Sequence, residues 1–246
     1  MIDRVMGRSA VLVAVVLLAV RASEAAESGW IVLCGGPGAW REPSSDWRIA
    51  GDARLDPEND RCLVGVPGEG VLVHEKGRTK DLVSQAEWGD VEVEFEFMIP
   101  RGSNSGVKLQ GLYEIQIVDS WKVKKATAHH CGGVYRRAEL LPRYHHIDDG
   151  IAPRANAAKP PGQWQSLGIV FRAPRFDDAG KKTANARFEK VVLNGTTIHE
   201  NVELQYPTGH AWHHQEKPMG PLLLQADHGP VAFRNVRVRP LPAKPE

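Results

Sequence analysis

Apolar and polar residues alternate with a period of two in several stretches of this chain. Val91, Val93, Phe95, Phe97 and Ile99 alternate with Glu92, Glu94, Glu96 and Met98, and Pro100 closes the run. Side chains two apart share one face of an extended chain, so the pattern predicts a half-buried strand. Tyr113, Ile115 and Ile117 alternate likewise with Glu114, Gln116 and Val118, and Leu167, Ile169 and Phe171 stand two apart within residues 164–172. Val191-Val192-Leu193, the pair Asn194-Gly195 and Thr196-Thr197-Ile198 predict a hairpin, because Asn-Gly supplies the positive φ angles of a tight turn. A last pair of strands, 222–225 and 231–238, is joined across His228-Gly229-Pro230. No segment carries a convincing apolar period of 3.6. Short strands separated by Gly, Pro and Asn turns predict an all-β fold, a sandwich or jelly roll of two antiparallel sheets. Residues 120–160 and 206–221, rich in His, Pro, Gly and Lys, interrupt the pattern. In a sandwich such insertions lie at strand ends or over one sheet, where binding residues collect.

The most apolar run stands near the start. Arg4 and Arg8 precede an uninterrupted apolar stretch over 10–20, followed by Ser23, Ala25 and Ala26. At about 1.5 Å per residue that stretch covers roughly half of a hydrocarbon core of about 30 Å, too little to span it. It reads as a secretory signal over residues 1–25, with small residues at the cleavage site, followed by a single domain over 26–246. No other stretch is apolar and long enough for a membrane span. The expectation is an exported protein, periplasmic or extracellular.

Composition narrows the partners. The chain holds 31 Lys+Arg against 30 Asp+Glu, and removing residues 1–25 leaves 28 of each, interspersed. No extended positive surface is available to follow a phosphate backbone, so nucleic acid is not an expected partner. Three cysteines without a CxxC pair make neither a disulfide scaffold nor a structural zinc site, though outside the cytosol they allow one disulfide and one leftover thiol. The ten histidines concentrate late, with pairs at His129-His130, His145-His146 and His213-His214. Adjacent residues on an extended chain point to opposite sides, so no pair chelates a metal by itself.

The strand from Tyr113 carries the candidate chemistry. Alternation places Glu114 and Gln116 on one face, and a bulge at Val118 would bring Asp119 onto it as well. The spacing resembles the E-x-D-x-x-E strand of laminarinase-type glycosidases, with Gln116 and Asp119 in place of the second and third acids. Carboxylates roughly 5 to 9 Å apart divide acid and base work across a glycosidic bond. Asn104-Ser105-Gly106 precedes this strand, and Gln225-Ala226-Asp227-His228-Gly229 follows the strand from Leu222. Amides and imidazoles near strand ends suit sugar hydroxyls, which both donate and accept hydrogen bonds.

Six ordered blocks then carry a family resemblance over roughly Trp30 to Leu241. They are Asn104-Ser105-Gly106-Val107, the run from Tyr113 to Ser120, Gly132-Gly133-Val134-Tyr135, Gly162-Gln163-Trp164-Gln165, Leu193-Asn194-Gly195, and the run from Gly220 to Gly229 followed by Phe233-Arg234-Asn235-Val236. Together they resemble the 3-keto-disaccharide hydrolase domain, a family found in secreted proteins of sugar-degrading bacteria. The resemblance implies a concanavalin-like jelly roll and activity on glycosides already oxidised at C3, with a sugar 3-dehydrogenase as the functional partner that makes the ketone.

A C3 ketone acidifies the C2 proton, so the C1 substituent can leave by β-elimination, after which water adds to the product. The chemistry needs a base near C2, a donor for the enolate oxygen and an acid at the leaving oxygen. The expected catalytic residues are Glu114 or Asp119 as base and His228 as acid or enolate-stabilising donor. Asn104, Gln116, Tyr135 and Gln225 are the expected ligands of sugar hydroxyls. No cofactor is assigned; a metal-assisted lyase, with clustered histidines and a carboxylate holding a divalent ion, is one alternative. A carbohydrate-binding module with Trp121, Trp164 or Trp212 as sugar platforms is the other.

Overall fold

In the computed structural model, residues 29–34 and 37–243 are described; the signal segment read from the sequence lies outside them. The strands along the chain are β1 (Ile31–Val32), β2 (Arg48–Leu55), β3 (Leu63–His74), β4 (Leu82–Trp88), β5 (Val91–Met98), β6 (Asn104–Leu109), β7 (Tyr113–Val118), β8 (Ala138–Glu139), β9 (His145–His146), β10 (Gln165–Arg172), β11 (Arg175–Phe176), β12 (Lys182–Ala184), β13 (Ala186–Leu193), β14 (Thr196–Leu204), β15 (Gly220–Leu224) and β16 (Val231–Pro240). Two antiparallel sheets form the jelly-roll sandwich. The larger runs β14-β13-β10-β5-β16-β3-β2, with β1 added along β16, and the smaller runs β4-β15-β6-β7.

The predicted alternation is what brings the sheets together. Val91, Val93, Phe95 and Phe97 of β5, Leu167, Ile169 and Phe171 of β10 and Phe233 of β16 face Val107, Leu109, Tyr113, Ile115, Ile117, Leu222 and Leu224 of the smaller sheet in one buried core. Each such side chain contributes about 1.5–3 kcal/mol through removal from water. On the opposite face of β5 the glutamates meet arginines of β16: Glu96 with Arg234 at 2.9 Å, Glu94 with Arg237, and Glu92 with Arg239. The Asn194-Gly195 hairpin forms as expected, with φ of 51° and 79° and Leu193 paired to Thr196.

The last two strands depart from the expectation. β15 and β16 are not paired with one another; β15 lies in the smaller sheet and β16 in the larger, so His228-Gly229-Pro230 belongs to a crossing between layers. The three cysteines, Cys34, Cys62 and Cys131, are all free. Among the described residues no helix is long and apolar enough to cross a membrane.

The irregular segment after β7 covers that strand's outer edge. Gln116 N–H donates to the Gly133 carbonyl at 2.8 Å, Gly132 N–H to the Gln116 carbonyl at 2.7 Å, and Tyr135 N–H to the Glu114 carbonyl at 3.2 Å. Residues 132–135 thus run antiparallel along the edge of β7, with Val134 bridged to Ile115. Gly133 permits the approach, since a Cβ there would lie 2.3 Å from the Ala128 carbonyl oxygen.

Candidate active site

The outward face of the smaller sheet gathers most of the chemically useful side chains. Register sets them in two rows. Gly106 pairs with Gln116 and Lys108 with Glu114 across β6 and β7. On the far side Leu223 stands opposite Lys108, and Gln225 N–H donates to the Gly106 carbonyl at 2.9 Å. One row therefore reads Gln225, Gly106, Gln116, and the next Leu223, Lys108, Glu114, Tyr135.

Glu114 is the centre of this face. Its side chain is only 5% exposed and its Oε2 lies 3.4 Å from Lys108 Nζ, itself 17% exposed. Burial pushes the Glu114 carboxyl above the ordinary glutamate range, while the Lys108 charge and then that of His228 oppose the rise. Gly106 leaves the space over which this carboxylate lies. In the amide orientation that satisfies its neighbours, Gln116 donates to Glu114 Oε1 at 3.0 Å and to the Ser105 carbonyl at 3.2 Å, and its other end meets the Asn104 amide at 3.1 Å.

His228 and Asp227 form the opposite wall. His228 Nδ1 is hydrogen-bonded to Asp227 Oδ1, and this bond lifts the imidazole pKa above its usual value against the desolvation that lowers it. The negative field of Glu114 adds to the rise. Asp81 holds the turn in place: its Oδ1 accepts the backbone N–H of Ala226 at 2.8 Å and of Asp227 at 3.1 Å. Above Glu114, Tyr135 Oη lies 3.2 Å from Tyr144 Oη and 3.3 Å from His146 Nε2, so the β8–β9 hairpin leans over the site. His210 completes the rim; burial and then the Lys108 charge hold its pKa below the ordinary histidine value.

The structure thus brings Glu114, Gln116, Asn104, Gln225, Tyr135 and His228 to one face and leaves Asp119 out. β6 and β7 stay in register from Asn104↔Val118 to Leu109↔Tyr113, without the bulge expected at Val118. Asp119 lies five residues from Glu114, about 16 Å along an extended chain. Its carboxylate instead accepts Gly102 N–H at 3.0 Å and Trp121 N–H at 3.4 Å. Lys108 was missed in the sequence because residues 104–109 lack a full apolar alternation: the inward row begins with Ser105, whose hydroxyl donates to the Gln225 carbonyl at 2.7 Å. Asp227 and Asp81 act through side-chain and turn contacts that no local pattern announces.

The alternatives find less support in the geometry. Among the described residues no three of His, Cys, Asp and Glu converge as a metal site. The three tryptophans considered as sugar platforms each carry a cation over the ring: Lys122 on Trp121 at 4.1 Å, Arg234 on Trp164 at 4.1 Å and Arg137 on Trp212 at 5.4 Å. A separate open groove of about 1010 Å³ runs over the outer face of the larger sheet, lined by Trp30, Glu92, Glu94, Glu96 and Arg237 among others. Its carboxylates are held by the β16 arginines, so they offer no free base.

The sequence model of a family described as the 3-keto-alpha-glucoside-1,2-lyase-like domain matches residues 29–239. Among solved structures, a provisionally assigned glycosyl hydrolase of Parabacteroides distasonis ATCC 8503 superposes with a TM-score of 0.57 at 22% identity, covering 87% of this chain and 84% of its own. A second one from the same organism gives a TM-score of 0.52 at 15% identity, covering 89% and 97%. These likenesses show a shared fold. No functionally curated protein is similar enough to match.

Proposed function

The chain belongs to the 3-keto-alpha-glucoside-1,2-lyase-like domain family, and on that premise we propose that it cleaves glycosides bearing a ketone at C3 by eliminating the C1 substituent across C1 and C2. The observation that carries this reading is the Glu114 carboxylate buried on the outward face of the smaller sheet beside Lys108, with the hydrogen-bonded Asp227–His228 pair close enough for its charges to act on that carboxyl. A carboxylate whose basicity is raised by burial suits removal of a proton from carbon, because it narrows the gap to the carbon acid. Glu114 takes the C2 proton. His228, with Nδ1 tied to Asp227, donates from Nε2 to the leaving oxygen. Its raised pKa keeps the proton available nearer to neutral pH.

Asn104, Tyr135 and Gln225 orient the sugar through its remaining hydroxyls, since amides and a phenol offer both donors and acceptors, while Gln116, whose N–H groups go to Glu114 and the Ser105 carbonyl, holds the base in place. Water then adds across the new C1=C2 bond and returns a free 3-keto sugar. A sugar 3-dehydrogenase supplies the ketone, and the enzyme works after export to the periplasm or beyond. The test is an assay on a purified 3-keto-glucoside beside its unoxidised parent. Only the keto substrate should be cleaved, and Glu114→Gln should lower turnover by about 10²–10⁴-fold. Cleavage of the parent alone would overturn the reading.

A further inference from the structure

Elimination leaves one need unmet by the residues assigned so far. As the C2 proton departs, negative charge gathers on the C3 oxygen, and a base without a matching electrophile must form that enolate unaided. We propose that Lys108 is the cation that holds the C3 oxygen as it becomes an enolate oxyanion, an inference that rests on the elimination reading above.

Three observations support the assignment. Lys108 stands directly opposite Glu114 in register, on the same outward face of the sheet. Its ammonium is 3.4 Å from Glu114 Oε2. The ketone oxygen is bonded to the carbon next to C2, so a group that serves it must lie within a few ångströms of the base, and this separation meets that condition. Finally, the ammonium is mostly buried and has three donors, of which the ion pair with Glu114 occupies one. A cation fixed before reaction and shielded from water stabilises developing charge without reorganising.

The Glu114 carboxylate forms an O–H bond with the C2 proton, the C2–H pair becomes the C2=C3 π bond, and the C3=O π pair moves to oxygen, where Lys108 donates a hydrogen bond. The oxygen pair then reforms the ketone, the C2=C3 pair shifts to C1=C2, and the C1–O bond breaks with its electrons going to the leaving oxygen, which takes the His228 proton. Lys108 keeps its own proton throughout.

A structural role for Lys108, merely keeping Glu114 ionised, makes a different prediction. Lys108→Met and Lys108→Arg are compared with wild type on 4-nitrophenyl 3-keto-glucoside, whose leaving oxygen departs without an acid, from neutral pH to about pH 9, after subtraction of the uncatalysed rate. The enolate role predicts a loss of about 10²–10³-fold in kcat for Lys108→Met that persists at the alkaline end, with partial retention in Lys108→Arg. Recovery of the wild-type rate once Glu114 is ionised would overturn it. A second measurement follows exchange of the C2 proton with deuterated solvent on 1,5-anhydro-3-keto-glucitol, which has no exocyclic substituent at C1 to leave. Lys108→Met should lose this exchange, and exchange at the wild-type rate would refute the role. If Lys108→Met does not fold by circular dichroism, Lys108→Gln carries the same two measurements. If wild type neither exchanges nor cleaves any keto substrate, the elimination reading itself fails and this inference fails with it.

Discussion

Gly106→Ala is the change that separates the position of the base from its identity. The backbone at Gly106 does not have positive φ, so alanine is accommodated without backbone strain. The new Cβ, however, would lie 2.8 Å from Glu114 Oε1 and 3.3 Å from both Cδ and Cγ. Ordinary contact requires the carboxylate to withdraw by roughly half an ångström or more. Because the clash falls on the free end of a side chain, the sheet survives. Loss of glycine from a strand gains about 0.5–1 kcal/mol in backbone entropy, which offsets much of the crowding. The melting temperature should therefore move by no more than about 2–4 °C. Catalysis should suffer far more, since a misplacement approaching 1 Å costs up to about 10²-fold. The expected result is a fall of about 10–100-fold in kcat on a 3-keto-glucoside, with KM little changed and a normal melt. A variant with wild-type kcat would refute the reasoning, because the rate would then be indifferent to where the Glu114 carboxylate lies.

Two further substitutions test the walls of the site. Asp227→Asn removes the carboxylate whose hydrogen bond and charge raise His228, so the imidazole loses its proton at lower pH. The alkaline limb of the kcat profile should move toward acid, most clearly for substrates with poor leaving groups; an unmoved limb would exclude His228 as the acid. Asp119→Asn should keep turnover within about threefold and cost no more than about 1 kcal/mol, because only hydrogen bonds to Gly102 and Trp121 are altered. A loss of orders of magnitude in steady-state turnover would return Asp119 to the catalytic centre.

Much of the fold was legible where burial on one side only leaves a period of two, as in β5, β7 and β10. The β13–β14 hairpin was legible for a different reason, since Asn194 and Gly195 both need positive φ. Other strands hid. β2 and β3 contain glycines and, in β3, Pro67, and their buried positions do not alternate over their full length. The turn at His228-Gly229-Pro230 has the same chemistry whether it closes a hairpin or crosses between sheets, and only the packing of Leu222 and Leu224 against the core from one layer and Phe233 from the other decides.

The site shows the same limit in sharper form. Alternation assigned Glu114 and Gln116 to one face correctly, because it depends only on what lies next along the chain. What lies across is set by the turn. Gln110-Gly111-Leu112 joins β6 to β7, with φ of 56° and 69° at the first two residues, and closes on a hydrogen bond from Leu112 N–H to the Leu109 carbonyl. That length places Leu109 against Tyr113 and hence Lys108 against Glu114. A register one residue away would set Lys108 opposite Tyr113 or Ile115, whose side chains point into the core. The pairing of a buried acid with its cation therefore depends on the length of a three-residue turn that carries no catalytic group, and on the room that Gly106 leaves beside it.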